Sequence, residues 1–258
     1  MTKIALTTAA ILIGMGTAFA TPALAKSPTG VKNIVLVHGG FVDGSGWKGV
    51  YDILTKDGYT VSVVQNPTVS LKEDAAFTRR AIDAMGGKVV LVGHSYGGAV
   101  ISEAGTDANV AGLVYIAAFA PDKGQSIIDV LANPEKSDPV PPILPPVDGF
   151  LVLDKAKFHT SFAGDVSNQL AGFMEASQVP FGLEGAGGKV SDPAWQTKPS
   201  WFLLTTNDKM IPPRVQKLMA DRAKSQVTEI AASHAVYVSQ PKAVAKIIEK
   251  AAQALSAQ

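Results

Sequence analysis

Short runs of branched apolar residues alternate along the chain with stretches in which apolar positions recur at helical spacing. NIVLVHG (residues 33–39) is apolar on both faces, which predicts a strand covered on both sides. GWKGVYDILTKDG follows with helical periodicity, and YTVSVVQNP reads as a second strand ended by Asn66 and Pro67. SLKEDAAFTRRAIDAM predicts an amphipathic helix opening at Ser70, with Glu73 placed to complete a capping box. KVVLVGHS then predicts a strand, Tyr96 to Gly105 a helix and VAGLVYIAAFA another strand. Strand and helix alternating through short links predict an α/β fold, a mostly parallel central sheet with helices on both faces.

The rhythm breaks at Pro121. DPVPPILPPVDG admits neither a central strand nor a helix interior, because proline removes the backbone donor that both need. Helical pieces are expected around it, from Ser126 to Ala132 and across Lys155 to Ala176. The alternation returns with SWFLLTTND, PPRVQKLMADRAK and SQVTEIAAS, and closes with a helix from Pro241 to about Ala257. The expected organisation is a core over 26–120 and 199–258, interrupted by a helical cap over 121–198. Such an insertion leaves from the C-terminal end of a strand, where open α/β sheets bind ligands.

The first 25 residues stand apart. Lys3 precedes an apolar stretch from Ile4 to Ala20, and Ala23-Leu24-Ala25 supplies a small-residue cleavage pattern. The stretch is shorter than the ~20 residues that span a bilayer. This predicts a signal peptide removed after Ala25, and an exported chain with no stable membrane association, periplasmic or secreted. Loss of Lys3 leaves 22 basic and 22 acidic side chains, so the mature chain has no electrostatic reason to bind nucleic acid. The chain has no cysteine, which excludes disulfides, a thiol nucleophile and thiolate metal sites.

Candidate chemistry centres on Gly93-His94-Ser95-Tyr96-Gly97, a G-x-S-x-G pattern between a predicted strand and a predicted helix. A nucleophile on so sharp a turn forces its neighbours two residues away against each other, which explains Gly93 and Gly97. Gly98 lets the helix pack closely. A serine hydroxyl needs a base. Of the four histidines, His38 and His94 sit within glycine motifs and are expected to be structural, and His159 falls in the cap. His234 follows the last predicted strand and is the expected base. Asp208, directly after a strand, is the expected acid, in the order Ser, Asp, His. Asp122, also at a strand end, is the rival.

VHGGFVDGSGW (37–47) predicts an oxyanion loop, with the N–H of Gly40 as one donor and that of Tyr96 as the other; Phe41 could replace Gly40. Gly44 to Gly49 also fits G-x-G-x-x-G, but Trp47 fills the phosphate turn and the next strand ends without an acid for a ribose, so no dinucleotide is expected.

These residues, together with Lys209, Ile211-Pro212 and Ser233, give the chain a resemblance to the α/β-hydrolase superfamily. It is most similar to the branch of small methyl-ester esterases and hydroxynitrile lyases, and to exported bacterial α/β hydrolases. The resemblance implies a Ser95/His234/Asp208 triad, no metal or cofactor, and a cap after the equivalent of the sixth strand. It also implies a small-molecule ester as substrate. The lyases carry threonine and lysine where this chain has Gly39 and Ala235, which favours ester hydrolysis. Lyase-like or cofactor-free oxygen chemistry, and ligand binding with a vestigial triad, are the alternatives. Phe41 and the aromatics Phe158, Phe162, Phe173, Phe181 and Trp195 are the pocket candidates.

Overall fold

The computed structural model describes residue 1 and residues 28–255; the predicted leader lies outside the described residues. Six strands form one parallel sheet: β1 (Asn33–Val37), β2 (Thr60–Val64), β3 (Val89–His94), β4 (Val110–Ile116), β7 (Ser200–Thr205) and β8 (Gln226–Ile230). Their order is β2-β1-β3-β4-β7-β8. Every residue of β3 and of β7 is buried, whereas at the edges β2 is mostly half-buried and β8 largely exposed. That is why VVLVGH reads as a continuous apolar run and QVTEI does not.

The helices joining these strands are α1 (Lys48–Lys56), α2 (Leu71–Ala84), α3 (Gly97–Ala104) and α8 (Pro213–Arg222). The chain steps outward from β1 to β2, then reverses through β3, β4, β7 and β8. Right-handed crossovers therefore put α1 on one face and α2, α3 and α8 on the other. The last helix, α10 (Pro241–Ala254), packs against α1. The reversal leaves a crevice at the C-terminal ends of β1 and β3, the place where this architecture holds ligands. The loops carrying Gly40 and Ser95 leave from those two strand ends.

The cap occupies the chain between β4 and β7. It contains α4 (Ile127–Val130), β5 (Phe150–Leu151), α5 (Lys155–Phe162), α6 (Asn168–Ala176), β6 (Phe181–Gly182) and α7 (Leu183–Gly187), with β5 and β6 antiparallel. The single helix expected over Lys155 to Ala176 is two helices. The chain breaks at Ala163, and Ser167 starts α6 by accepting the Leu170 N–H. Likewise the helix expected from Ser126 to Ala132 is one turn, α4. It carries the full capping box, Ser126 with Asp129, whereas Ser70 caps α2 through the Glu73 N–H alone. The proline-rich strap is anchored at Asp138 by Arg214 Nε at 2.9 Å and farther on by bridges Ile143–Leu153 and Val147–Phe150.

Candidate active site

Ser95 follows β3 with φ +53°, a left-handed conformation unusual for a residue with a side chain. The glycines around it are there because nothing else fits. A Cβ on Gly93 would lie 2.4 Å from the Gly97 carbonyl oxygen, and one on Gly97 would lie 2.7 Å from those of Val37 and His38. On Gly98 it would come within 2.1 Å of the Phe119 oxygen. The Ser95 carbonyl accepts the Gly98 and Phe119 N–H groups at 2.9 and 3.1 Å, so the strained turn is held from both the helix and β4 sides.

The loop between β8 and α9 (Val236–Ser239) carries His234, whose side chain is fully buried. Its Nδ1 lies 2.8 Å from Asp208 Oδ2. A carboxylate only accepts, so this nitrogen carries the proton and Nε2 is left as the basic atom. Nε2 makes no hydrogen bond among the described residues, and His234 and Ser95 line the same cavity. The cap holds the histidine loop on both sides: Ala235 N–H donates to Phe162 O at 2.9 Å, and Ser233 N–H to Asp165 at 3.0 Å.

Asp208 accepts five hydrogen bonds. Oδ1 takes the N–H groups of Met210 and Ile211 at 2.8 and 2.9 Å. Oδ2 takes His234, the Thr205 hydroxyl at 3.0 Å and the Gln216 amide at 2.9 Å. Its turn geometry and its bond to the imidazole coexist, the first fixing the carboxylate for the second. The rival Asp122 is bonded to the Lys123 N–H and to Gln196, and makes no bond to His234. Gln216 escaped sequence reading because a glutamine within PPRVQKLMADR reads as an exposed helix position.

The other histidines sit in fixed roles. His94 Nε2 donates to the His234 carbonyl at 2.9 Å, and burial drives its pKa well below the usual imidazole value. His38 Nδ1 donates to Gly39 O at 2.9 Å, and burial lowers its pKa too. Both are neutral near pH 7. His159, in the cap, bonds the Val166 carbonyl.

Gly39 runs so close to Ser95 that a Cβ there would lie 2.6 Å from the serine Cβ and 3.2 Å from Oγ. Phe41, at φ +67°, turns its carbonyl to the cap, where it accepts the Val179 N–H at 3.1 Å. In the 44–49 glycine run, Asp43 Oδ1 accepts the Ser45 N–H at 2.8 Å and Gln65 that of Gly44 at 3.1 Å. Two N–H groups of that run are thus engaged within the protein. Among the described residues no group of three His, Asp or Glu side chains is placed to hold a metal.

The cavity beside Ser95 measures ≈ 100 Å³ and is almost wholly apolar, with Gly40 and Tyr96 in its wall. Three of the aromatic candidates line it: Phe41, Phe162 and Phe181. The other three do not. Phe158 is buried behind Phe162 in a stacked pair 5.0 Å apart. Trp195 donates its indole N–H to the Pro121 carbonyl and lies under Arg222. Phe173 is 63% exposed, because α6 turns Ala171 inward, and it borders a separate groove of ≈ 330 Å³. The positions they were expected to fill belong to Phe119, Ile127, Leu151, Met210 and Ile211, which carry no motif.

Against known proteins, the sequence model of the Alpha/beta hydrolase family matches residues 34–247. The chain belongs to that family. A pyrethroid hydrolase of Sphingobium wenxiniae is 27% identical to this hydrolase, over 87% of this chain and 89% of that protein. A putative chloroplastic methylesterase of Arabidopsis thaliana is 26% identical, over 84% of this chain and 63% of the other. Among solved structures, that of a pyrethroid hydrolase superposes with a TM-score of 0.76 at 24% identity, covering 87% of this chain and 98% of that one, a likeness of fold.

Proposed function

We propose that this hydrolase cleaves small to medium carboxylic esters through an acyl-enzyme on Ser95. The observation that carries the reading is the buried Asp208–His234 pair, with the free imidazole Nε2 and the Ser95 side chain on one cavity. Ser95 Oγ attacks the ester carbonyl while its proton passes to His234 Nε2. Asp208 stabilises the imidazolium and holds its tautomer. The N–H groups of Gly40 and Tyr96 receive the developing oxyanion, a donor set of the kind worth about 10²–10³ in rate per bond. Collapse expels the alcohol, which takes the proton from His234. Water, deprotonated by the same nitrogen, then releases the acid.

The apolar cavity favours an uncharged group next to the ester, in keeping with relatives named as pyrethroid hydrolase and methylesterase. The lyases that the chain resembles carry a threonine at the position of Gly39, and the close approach of Gly39 to Ser95 leaves no room for one there. The leader reading adds that the enzyme works outside the cytoplasm, with Lys26 as its first residue; the intact mass of protein from the periplasmic or secreted fraction checks this.

Turnover of short aryl esters by the wild type and by Ser95→Ala tests the activity. The wild type is expected to hydrolyse them and to take one phosphonate adduct on Ser95. The variant should do neither and lose at least about 10³ in kcat, as when a member of a cooperating triad is removed. A folded wild type that binds such esters tightly without turnover or labelling would mark a binding protein instead.

A further inference from the structure

Asp74 lies on the sheetward face of α2, outside the triad, with no solvent exposure. Its two oxygens serve different parts of the molecule. Oδ2 accepts the Tyr96 hydroxyl at 2.6 Å, and Oδ1 accepts the Thr68 N–H at 2.8 Å. Tyr96 is the residue after Ser95. Thr68, at φ +57°, is in turn bound to the cap: its carbonyl accepts the Gly182 N–H at 2.8 Å, and its hydroxyl, whose one proton is shared between Pro67 O at 2.7 Å and Pro180 O at 3.2 Å, reaches the cap as well. Between those two bonds sits Phe181, whose ring lies 4.6 Å from that of Tyr96 and lines the cavity. No side chain could intervene, since a Cβ on Gly182 would meet the Val69 carbonyl at 2.1 Å.

We propose that Asp74 is a positioning residue for the reaction, locking the Ser95–Tyr96 peptide and the Pro180–Gly182 segment of the cap into one unit. This rests on the reading of Tyr96 N–H as an oxyanion donor. A peptide N–H stabilises the oxyanion only if its direction is fixed before charge develops. Tyr96 supplies the lever: its side chain runs from that peptide to a carboxylate on a different helix. Burying a carboxylate is costly, and burial raises the Asp74 pKa to about 6 despite the two donors. A merely structural clamp between a hydroxyl and an N–H needs no such charge. An ionised acceptor makes the Tyr96 bond shorter and stiffer.

The test is steady-state hydrolysis of p-nitrophenyl acetate by Tyr96→Phe, Asp74→Asn and Asp74→Ala, with active sites counted by phosphonate titration. Tyr96→Phe keeps the ring and the oxyanion N–H. It is expected to lower kcat about tenfold, part of what a lost donor costs, with KM within about twofold. Asp74→Ala should lower kcat further. Adding Tyr96→Phe to it should cost nothing more, because the two changes break one linkage. Asp74→Asn, able to restore one of the two bonds, should fall between. Wild-type kcat per titrated site in Tyr96→Phe and Asp74→Asn would overturn the proposal, even if Asp74→Ala fails to fold.

If the wild type neither hydrolyses nor labels, the esterase reading has failed, and the linkage is read by amide hydrogen exchange. Asp74→Asn and Tyr96→Phe should then both speed exchange at Thr68 and Gly182 by about tenfold or more, the loss of roughly one hydrogen bond. Unchanged exchange at Gly182 would sink it.

Discussion

Below the cavity, each group proposed to react is closely held by its surroundings. Ser95 sits on a turn that tolerates no Cβ at 93, 97 or 98, a Cβ on Gly39 would lie 2.6 Å from that of Ser95, and Asp208 accepts five hydrogen bonds. Above it, the cap presents ordinary side chains: Ile127 on a one-turn helix, Leu151 on a two-residue strand, Phe181 beside it. These touch the cavity through packing alone. The lower half thus has few sequences that would serve, and the upper half has many. Rate should be the property of the first and substrate choice the property of the second.

Substitutions can break that division. The largest effect after loss of Ser95 is expected from Gly39→Ala. The added methyl must displace either the loop after β1 or Ser95, and if that loop supplies an oxyanion donor as proposed, kcat should fall about 10²-fold with little change in KM. Unaltered kcat there would show that the loop moves freely and that the lower half is not rigid. Phe181→Leu, in the roof, should instead shift KM about three- to tenfold and re-rank acyl groups while leaving kcat near wild type, because a few methylenes of pocket contact are worth about 1–3 kcal/mol. A drop in kcat alone would place Phe181 with the chemistry.

A smaller effect concerns pH. Asp74 is raised from 3.8 to about 6 by burial, with Glu73 nearby adding to the rise and Tyr96 and Thr68 opposing it. The folded chain therefore keeps this proton up to about pH 6, whereas the unfolded chain loses it near 4. Between those values the folded state binds more protons, so this group's contribution to stability falls as pH rises and levels off above 6. Asp74→Asn should remove that contribution, so that the Tm of the wild type relative to the variant falls from pH 4 to 6; parallel curves would show that the carboxylate is not desolvated. Smallest of all, Phe173→Ser on the outer face of α6 should change activity negligibly and stability by no more than about 0.5 kcal/mol.

The same division decides how much could be read in advance. The sharp turn at Ser95 and its meeting with His234 and Asp208 were legible because backbone crowding writes glycines into the sequence and because strand ends are marked by periodicity. The roof was not. Whether Phe162 or Phe173 faces inward depends on the break at Ala163, which splits one periodic stretch into two helices with different orientations. Met210 and Ile211 belong to the cavity only because the Asp208 turn swings them there. Asp74 is an intermediate case. Within LKEDAAFTRR it looks like one more charge on a solvated face, yet Leu71, Asp74, Ala75, Thr78 and Ile82 share the buried stripe of α2. An acidic residue in phase with that stripe was the available signal.

The two hydrogen bonds that the cap makes on either side of His234, from Phe162 and Asp165, reach beyond stability. A cap exchanged for that of another family member, to import a new specificity, would also exchange the splint on the His234 loop. Chimaeras of this scaffold should therefore be cut so that the carbonyl at 162 and the carboxylate at 165 travel with the core. The exchangeable part of the lid then lies on either side of them, in the strap, α4 and the β5–β6 pair.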